Sequence, residues 1–409
     1  MKHLIIGNGI AGLSAAQTIR ALDGAAEIVM VSDEQFPPYS RPMISQVLDG
    51  SQPHEKLPLH SQDVYKTLRI TPVMGQRVAE LDVDDRSVRL ADDTRIEFDR
   101  LLIASGADAR ELKADGMALD NIFYMRTEAH VRQQLAAIAG AKQALVLGGG
   151  LVGFKAAYGL LKRGLKVTML ITSGYPLSMQ VDEVAGRIIM NELRAHGLTV
   201  KVGVSVTGFE GNGRVTRAVL DNGEPLPCDL VIIGKGVRPS LNFIPRNRID
   251  VDLGIVVDDF LQSSVPGIYA AGDTAEAIDI ARQTPWVNAI WPEAAAQGRV
   301  AGQNMAGRRV RYPGSLSRNV MRVYDLDVMT TGYANPGKDE GFRQVSAGGE
   351  NQGYYRSLVF RDEILVGAVL INRIEQGGVL RALIENRVPV RFPENILMSP
   401  GFNFSKLLK

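Results

Sequence analysis

The chain has 409 residues, enough for two or three domains, and its 45% apolar and 22% charged residues are the balance of an ordinary globular protein. A net charge of +1 offers no footprint for nucleic acid, and no apolar run is long enough to span a bilayer, so neither nucleic acid nor membrane is an expected partner. The single cysteine, Cys228, excludes an intrachain disulfide, a CxxC redox pair and a cysteine-built iron–sulfur cluster within the chain.

Leu4-Ile5-Ile6 is a short apolar run that ends in glycines rather than a cleavage site, which argues against a signal peptide and for a cytoplasmic location. The next residues, Gly7-Asn8-Gly9-Ile10-Ala11-Gly12, lead into an Ala-rich amphipathic stretch to Leu22. This order is strand, tight turn, helix. Gly7 permits the turn, Gly9 lets backbone approach a pyrophosphate, and Gly12 lets the helix pack close to the strand. The helix start, at Ile10 and Ala11, presents N–H groups and a positive dipole end to an anion. Glu27 to Ser32 is a second buried strand, and Asp33-Glu34 follow it about 20 positions after the turn, where an acid accepts hydrogen bonds from a ribose.

Phe36 to Gln46 (Phe-Pro-Pro-Tyr-Ser-Arg-Pro-Met-Ile-Ser-Gln) is a proline-stiffened loop carrying Arg41, a residue suited to a pyrophosphate. Here the sequence resembles the flavoprotein reductases with two dinucleotide-binding folds, in the branch of rubredoxin reductases, oxygenase-type ferredoxin reductases and apoptosis-inducing-factor flavoproteins. It is similar as well to the NAD-reducing FAD subunits of multisubunit aldehyde or 2-oxoacid oxidoreductases. The resemblance implies that Arg41 touches the FAD pyrophosphate. It also implies that Gln46 stands where many members carry a lysine near the flavin, and that the Val78 backbone meets adenine. Strand-like segments are expected at Val73–Leu81, Ser87–Leu90 and Arg95–Phe98. Ala104-Ser105-Gly106, after a buried strand, matches the family's Ala-Thr-Gly, and Arg110 follows it.

A helical stretch to Ala139 opens a second domain. Ala144 to Leu147 is a strand, and Gly148-Gly149-Gly150-Leu151-Val152-Gly153 begins an Ala-rich helix to Arg163. Two strand–turn–helix units in one chain predict two dinucleotide sites, one for FAD and one for a nicotinamide. The second departs from the family twice. Lys155 replaces a frequent Glu, and Ile171 stands where NAD binders have an acid, leaving Thr172 as the polar residue at that strand end. No Arg or Lys stands there to hold a 2′-phosphate, which favours NAD(H) over NADP(H). A helix is expected over Asp182–Gly197 and a strand over Thr199–Phe209. Gly234-Lys235-Gly236-Val237-Arg238-Pro239 resembles the family's exit from the nicotinamide domain, and Cys228 reads as a packed thiol.

Ser263 to Asp273 is the most specific stretch: a β-branched and aromatic strand closes on Ala270-Ala271-Gly272-Asp273. By resemblance Asp273 bonds the ribityl chain of FAD, with Gly272 beside it in the flavin site. Ile290-Trp291-Pro292-Glu293 begins a helix running to Met305, with its dipole directed at the flavin. Trp291 has two readings, lining the isoalloxazine or packing in the core. After Arg308-Arg309-Val310-Arg311 come strands at Ser357–Arg361 and Ile364–Ile371 and a helix at Gly377–Asn386. The apolar tail (Ile396, Leu397, Met398, Phe402, Phe404, Leu407, Leu408) either packs home or docks a partner.

The expected fold is α/β. Residues 1–112 and 246–311 form a discontinuous FAD domain, 113–245 an NAD(P) domain, and 312–409 a small C-terminal α/β interface domain. The resemblance implies hydride exchange between NAD(H) and FAD, with electrons passing between the flavin and rubredoxin, ferredoxin or an iron–sulfur subunit. No catalytic side chain is required; Gln46, Lys155 and Trp291 are candidates for tuning the flavin. The alternative is a flavin-binding scaffold or interaction protein with a degenerate nicotinamide fold.

Overall fold

Five parallel strands build the first sheet, in the order Ile268–Ala270, Arg100–Ile103, Lys2–Ile6, Glu27–Ser32, Ile70–Met74. Both faces of its inner strands are covered, so Lys2–Ile6, Glu27–Ser32 and Arg100–Ile103 are nearly continuous runs of buried apolar residues rather than alternating ones, while in the edge strand Ile70–Met74 only Ile70 is buried. The computed structural model describes residues 1–60, 63–337 and 341–408. They form two compact units: Met1–Pro42 with His54–Asp108 and Val237–Leu316, and Met43–Pro53 with Ala109–Gly236 and Ser317–Lys409.

In the first unit the helix Ile10–Leu22 crosses the helix Trp291–Met305 at backbone contact. A Cβ on Gly298 would lie 2.2 Å from the Ala11 carbonyl oxygen, and one on Gly302 would lie 2.7 Å from that of Ala15. The expected strand Val73–Leu81 is two strands, Ile70–Met74 and Val78–Asp82, because Gly75 between them takes φ +73° and turns the chain into a separate three-stranded sheet.

The second unit repeats the design. Its parallel sheet runs Thr199–Val202, Lys166–Ile171, Gln143–Leu147, Leu230–Ile233, Ile122–Tyr124. The expected strand Thr199–Phe209 breaks at Gly203 (φ +73°), and Val206–Asn212 joins another sheet. A five-stranded antiparallel sheet, Arg318–Val323 through Ile364–Ile371, belongs to the same unit and carries the helix Gly377–Glu385. It is tied to the nucleotide-type fold through Asp182. That carboxylate caps the helix Glu183–Ala195 at Ala185 N (3.0 Å) and also accepts from Tyr355 Oη (2.9 Å) and Gln344 Nε2 (2.8 Å). The tail packs home: Leu397, Phe402, Phe404 and Leu407 are buried, while Ile396 and Leu408 stay exposed. Among the described residues no helix is long and apolar enough to cross a membrane.

Candidate functional site

The two glycine turns are near copies of each other. Gly7 has φ 108° and Gly148 φ 103°. Gly9 caps its helix at φ −68°, ψ −176°, and Gly150 at φ −72°, ψ −179°. In each, the first glycine's N–H extends the sheet: Gly7 N donates to Val31 O (2.7 Å) and Gly148 N to Leu170 O (2.9 Å). A Cβ on Gly7 would sit 2.1 Å from the Ala104 carbonyl oxygen, and one on Gly148 would sit 2.5 Å from that of Gly234. A Cβ on Gly12 would sit 2.0 Å from Gly7 O, and one on Gly153 would sit 1.9 Å from Gly148 O. The glycines are therefore required by contact as well as by dihedral angle.

Both helix starts are prepared for an anion. Neither has a capping side chain or an acid in its first turn. The first intrahelical bonds are Leu13 N to Gly9 O and Phe154 N to Gly150 O, so the preceding N–H groups of Ile10, Ala11 and Gly12, and of Leu151, Val152 and Gly153, have no helical partner. A Cβ built on Gly9 or Gly150 meets no atom within 4 Å, so the space before each N-terminus is open. A pyrophosphate fits that combination of free N–H groups, positive dipole end and open space. Each turn also lies at the carboxyl edge of its sheet, beside the strand where the order reverses.

Around the first turn the structure assembles a polar hub that the sequence did not reveal. Asn8 is buried. Its Oδ1 accepts from Ser32 Oγ (3.0 Å) and its Nδ2 donates to Phe36 O (3.0 Å). It thus fixes both the strand end that precedes Asp33 and Glu34 and the start of the proline loop. Asp33 is exposed, while Glu34 is half-buried and accepts from Tyr39 Oη (2.9 Å) and from Arg41. Glu34 is therefore engaged in holding Arg41, while the Asp33 carboxylate faces solvent. Burial opposes the Arg41 charge, but Tyr39, Glu34 and Asp273 outweigh it and raise its pKa above the usual value.

The turn at Gly272 and Asp273 is held from below. Gly272 N donates to Gln297 Oε1 (2.7 Å), and the buried Thr274 hydroxyl donates to Ile103 O (2.9 Å) and Ala271 O (3.0 Å). Gln297 lies on the helix Trp291–Met305, whose N-cap Ile290 makes no side-chain cap and whose Trp291 is half-exposed rather than a core residue. Ser105 donates to Ser240 O (2.8 Å), Gly106 takes φ +71°, and Val78 is buried in the same core cluster as Leu4 and Ile6. Gln46 and Arg110 lie in the second unit. Gln46 is exposed on the short helix Ile44–Asp49, and Arg110 N donates to Gly236 O (3.0 Å).

Around the second turn the hub is missing. Ile171 is buried, and its Cγ2 would lie 2.6 Å from a Cβ on Gly149, the position that Asn8 takes in the first turn. An apolar contact thus replaces polar ones there. Thr172 is exposed, and Ser173 Oγ donates to Tyr175 O (2.9 Å). Lys155 is half-buried with no carboxylate against it among the described residues, and burial lowers its pKa. Cys228 is buried, and burial, with Asp229 beside it, pushes its thiol pKa up to about 12. A thiol in that state is neither a nucleophile nor a redox partner at neutral pH.

Residues 1–298 match the family model described as pyridine nucleotide-disulphide oxidoreductase. The chain belongs to that family. It is an FAD- and pyridine-nucleotide-dependent oxidoreductase of the α/β class with two dinucleotide-binding folds. Residues 318–388 match the C-terminal domain of rubredoxin NAD+ reductase. The epsilon subunit of an NADH-dependent phenylglyoxylate dehydrogenase from Aromatoleum evansii is 31% identical over 94% of this chain and 92% of its own length. A nitrite reductase [NAD(P)H] from Bacillus subtilis is 28% identical over 95% of this chain, which spans about half (47%) of that relative. The solved structure of a covalent putidaredoxin reductase–putidaredoxin complex matches with a TM-score of 0.91 and 25% identity, over 100% of this chain and 98% of the other. The family's name refers to disulphide substrates, yet this member's one cysteine is sealed.

Proposed function

We propose that the chain exchanges hydride with NAD(H) at bound FAD and passes single electrons between that flavin and an iron–sulfur protein. The observation that carries this reading is the pair of matching glycine turns in a chain whose one thiol is buried and protonated. FAD, when bound, supplies both two-electron and one-electron chemistry. The chain supplies binding, orientation and field. In this reading residues 1–112 with 246–311 hold FAD, 113–245 hold the nicotinamide cofactor, and 312–409 face the partner.

Gly7, Gly9 and Gly12 with the N–H groups of Ile10 and Ala11 would cradle the FAD pyrophosphate, and Arg41, steadied by Glu34, would add a fixed positive charge. Asp33 would accept from the ribose. Asp273, on a turn pinned by Gln297 and Thr274, would accept from the ribityl chain. The start of the Trp291–Met305 helix, which has no side-chain cap and whose first-turn acid Glu293 accepts from Tyr312, would direct its N–H groups and dipole at the reduced ring. Gly148, Gly150 and Gly153, with Thr172 at the strand end, would hold the second dinucleotide. NAD(H) is the favoured species, since residues 171–181 contain no cation for a 2′-phosphate.

The relative that acts as a dehydrogenase subunit and the neighbour captured with putidaredoxin support an iron–sulfur partner, either a free carrier or a subunit of a larger complex. The proposal places the enzyme in the cytoplasm. The test is anaerobic mixing of FAD-loaded protein, NADH and a rubredoxin- or ferredoxin-type carrier, followed in the carrier's visible band. NADH-dependent bleaching that needs the protein is expected; no bleaching with any such carrier would remove the electron-transfer reading. Buried Ile171 supports a second reading, an FAD-bearing scaffold with an idle nicotinamide fold, which predicts no reaction of the flavin with NADH at all.

A further inference from the structure

We propose that the C-terminal sheet carries a binding pocket for a small phosphate-type oxyanion, with Arg356 and Arg373 as its ligands. The pocket is a cavity of ≈ 80 Å³ lined by Tyr354, Arg356, Asn372, Arg373, Glu375 and Gln376 among others. About 10–15 Å³ measured in this way holds one water, so there is room for a small tetrahedral anion.

Arg356 is the decisive group. Only 8% of it is exposed, yet no carboxylate pairs with it among the described residues. Its Nη2 donates to the carbonyls of Ser399 (3.1 Å) and Met398 (3.4 Å), which fastens the tail. A guanidinium has five N–H donors, so three remain on Nε and Nη1. No hydrogen bond to a described residue uses them, and the guanidinium lies over the Phe404 ring, 5.2 Å from its centroid. A largely buried cation held by two carbonyls and a ring face still has no counter-charge, and an anion beside it would supply one. Burial holds the Arg356 pKa below its usual value, the Arg373 charge adds to this, and Tyr354 opposes it.

Arg373 supplies the second cation at the mouth, its guanidinium 4.5 Å from the Tyr354 ring centroid. Asn372 and Arg373 are consecutive non-glycine residues in the left-handed region, at φ 51° and 45°. Such strain is tolerated where the backbone is over-determined. Asn372 is fixed by bonds to Gly353 O (2.8 Å) and from Asp327 N (3.0 Å). The helix Gly377–Glu385 starts at the pocket from N-cap Gln376, with no side-chain cap and no acid in its first turn. Gln376 is itself spent on the tail, donating to Phe402 O (2.8 Å) and accepting from Phe404 N (2.6 Å). The tail therefore forms a wall of the pocket. Glu375, exposed at the rim, is the one carboxylate lining it among the described residues, and its charge would oppose an anion.

The test is calorimetric titration of the FAD-loaded, NAD⁺-saturated protein with inorganic phosphate at low ionic strength. Filling both dinucleotide turns first removes them as phosphate sites. One saturable site is expected, about tenfold weaker in Arg373→Gln, whose side chain is at the surface, and in Arg356→Lys, which keeps charge but loses the fork. Glu375→Gln should bind more tightly, and acetate more weakly than phosphate. Absence of saturable binding, equal binding of acetate, or binding unchanged in Arg373→Gln would overturn the proposal. Because the readout is phosphate heat rather than electron transfer, its failure leaves the oxidoreductase reading intact.

Discussion

His3 sits in the strand that feeds the first glycine turn, 1% exposed, with no hydrogen-bond partner for Nδ1. Burial, followed by the charges of Arg100 and the N-terminus, lowers its pKa from 6.5 to about 4. Above pH 6.5 the ring is neutral folded or unfolded, and nothing is lost. As pH falls below 6.5 the unfolded chain takes up a proton that the folded chain refuses, so stability is lost progressively down to about pH 4. A shift of about 2.5 units at about 1.36 kcal/mol each is a loss of about 3 kcal/mol. That is a large part of a typical domain's stability. The assay is urea unfolding of wild type and His3→Leu at pH 7.5 and pH 4.5, followed by tryptophan fluorescence. The chain's two tryptophans, Trp286 and Trp291, lie in the same unit as His3, so the signal reports that unit. Carboxylates titrating in both proteins cancel in the comparison. The expected outcome is a wild-type loss on acidification that exceeds the variant's by about 2–3 kcal/mol. Equal losses would refute the reasoning.

Gly12→Ala places a Cβ about where the Gly7 carbonyl stands, and should leave purified protein with little bound flavin, measured as flavin per chain; overpacking of this kind costs about 1–3 kcal/mol. Gly153→Ala does the same at the second turn and should retain flavin while slowing its reduction by NADH at least tenfold. Asn8→Ala removes the hub between Ser32 and Phe36 and should weaken FAD binding about tenfold, read by flavin release on dilution. Cys228→Ala should keep full NADH:acceptor turnover, and thiol alkylation of the folded wild type should change nothing. Loss of activity in either case would contradict an all-flavin route.

The parts legible in the sequence were those set by local sterics. The glycine turns, the Ala104-Ser105-Gly106 and Gly272-Asp273 strand ends and the helix start at Trp291 each follow from residues adjacent in the chain. What was hidden depends on long-range contact. Asn8 looks like a spacer until Ser32 and Phe36 fold onto it. Gln297 and Thr274 look like ordinary polar residues until the Gly272 turn rests on them. Gly298 and Gly302 are helix-weakening in isolation and become intelligible only against the Ala11 and Ala15 carbonyls. The Asp182 link to Tyr355 and Gln344 joins positions more than 160 apart in the chain. The tail was ambiguous because apolar residues are equally suited to a core and a docking face, and burial of Leu397 and Phe404 decides for the core.

The most direct test of the account is an anaerobic titration of the FAD-loaded protein with NADH, and separately with NADPH, watching the visible flavin band. The account predicts stoichiometric bleaching by NADH and a far weaker response to NADPH, with Thr172 rather than an acid at the strand end. Bleaching by neither nucleotide would contradict it, and would make the second glycine turn a relic of the fold.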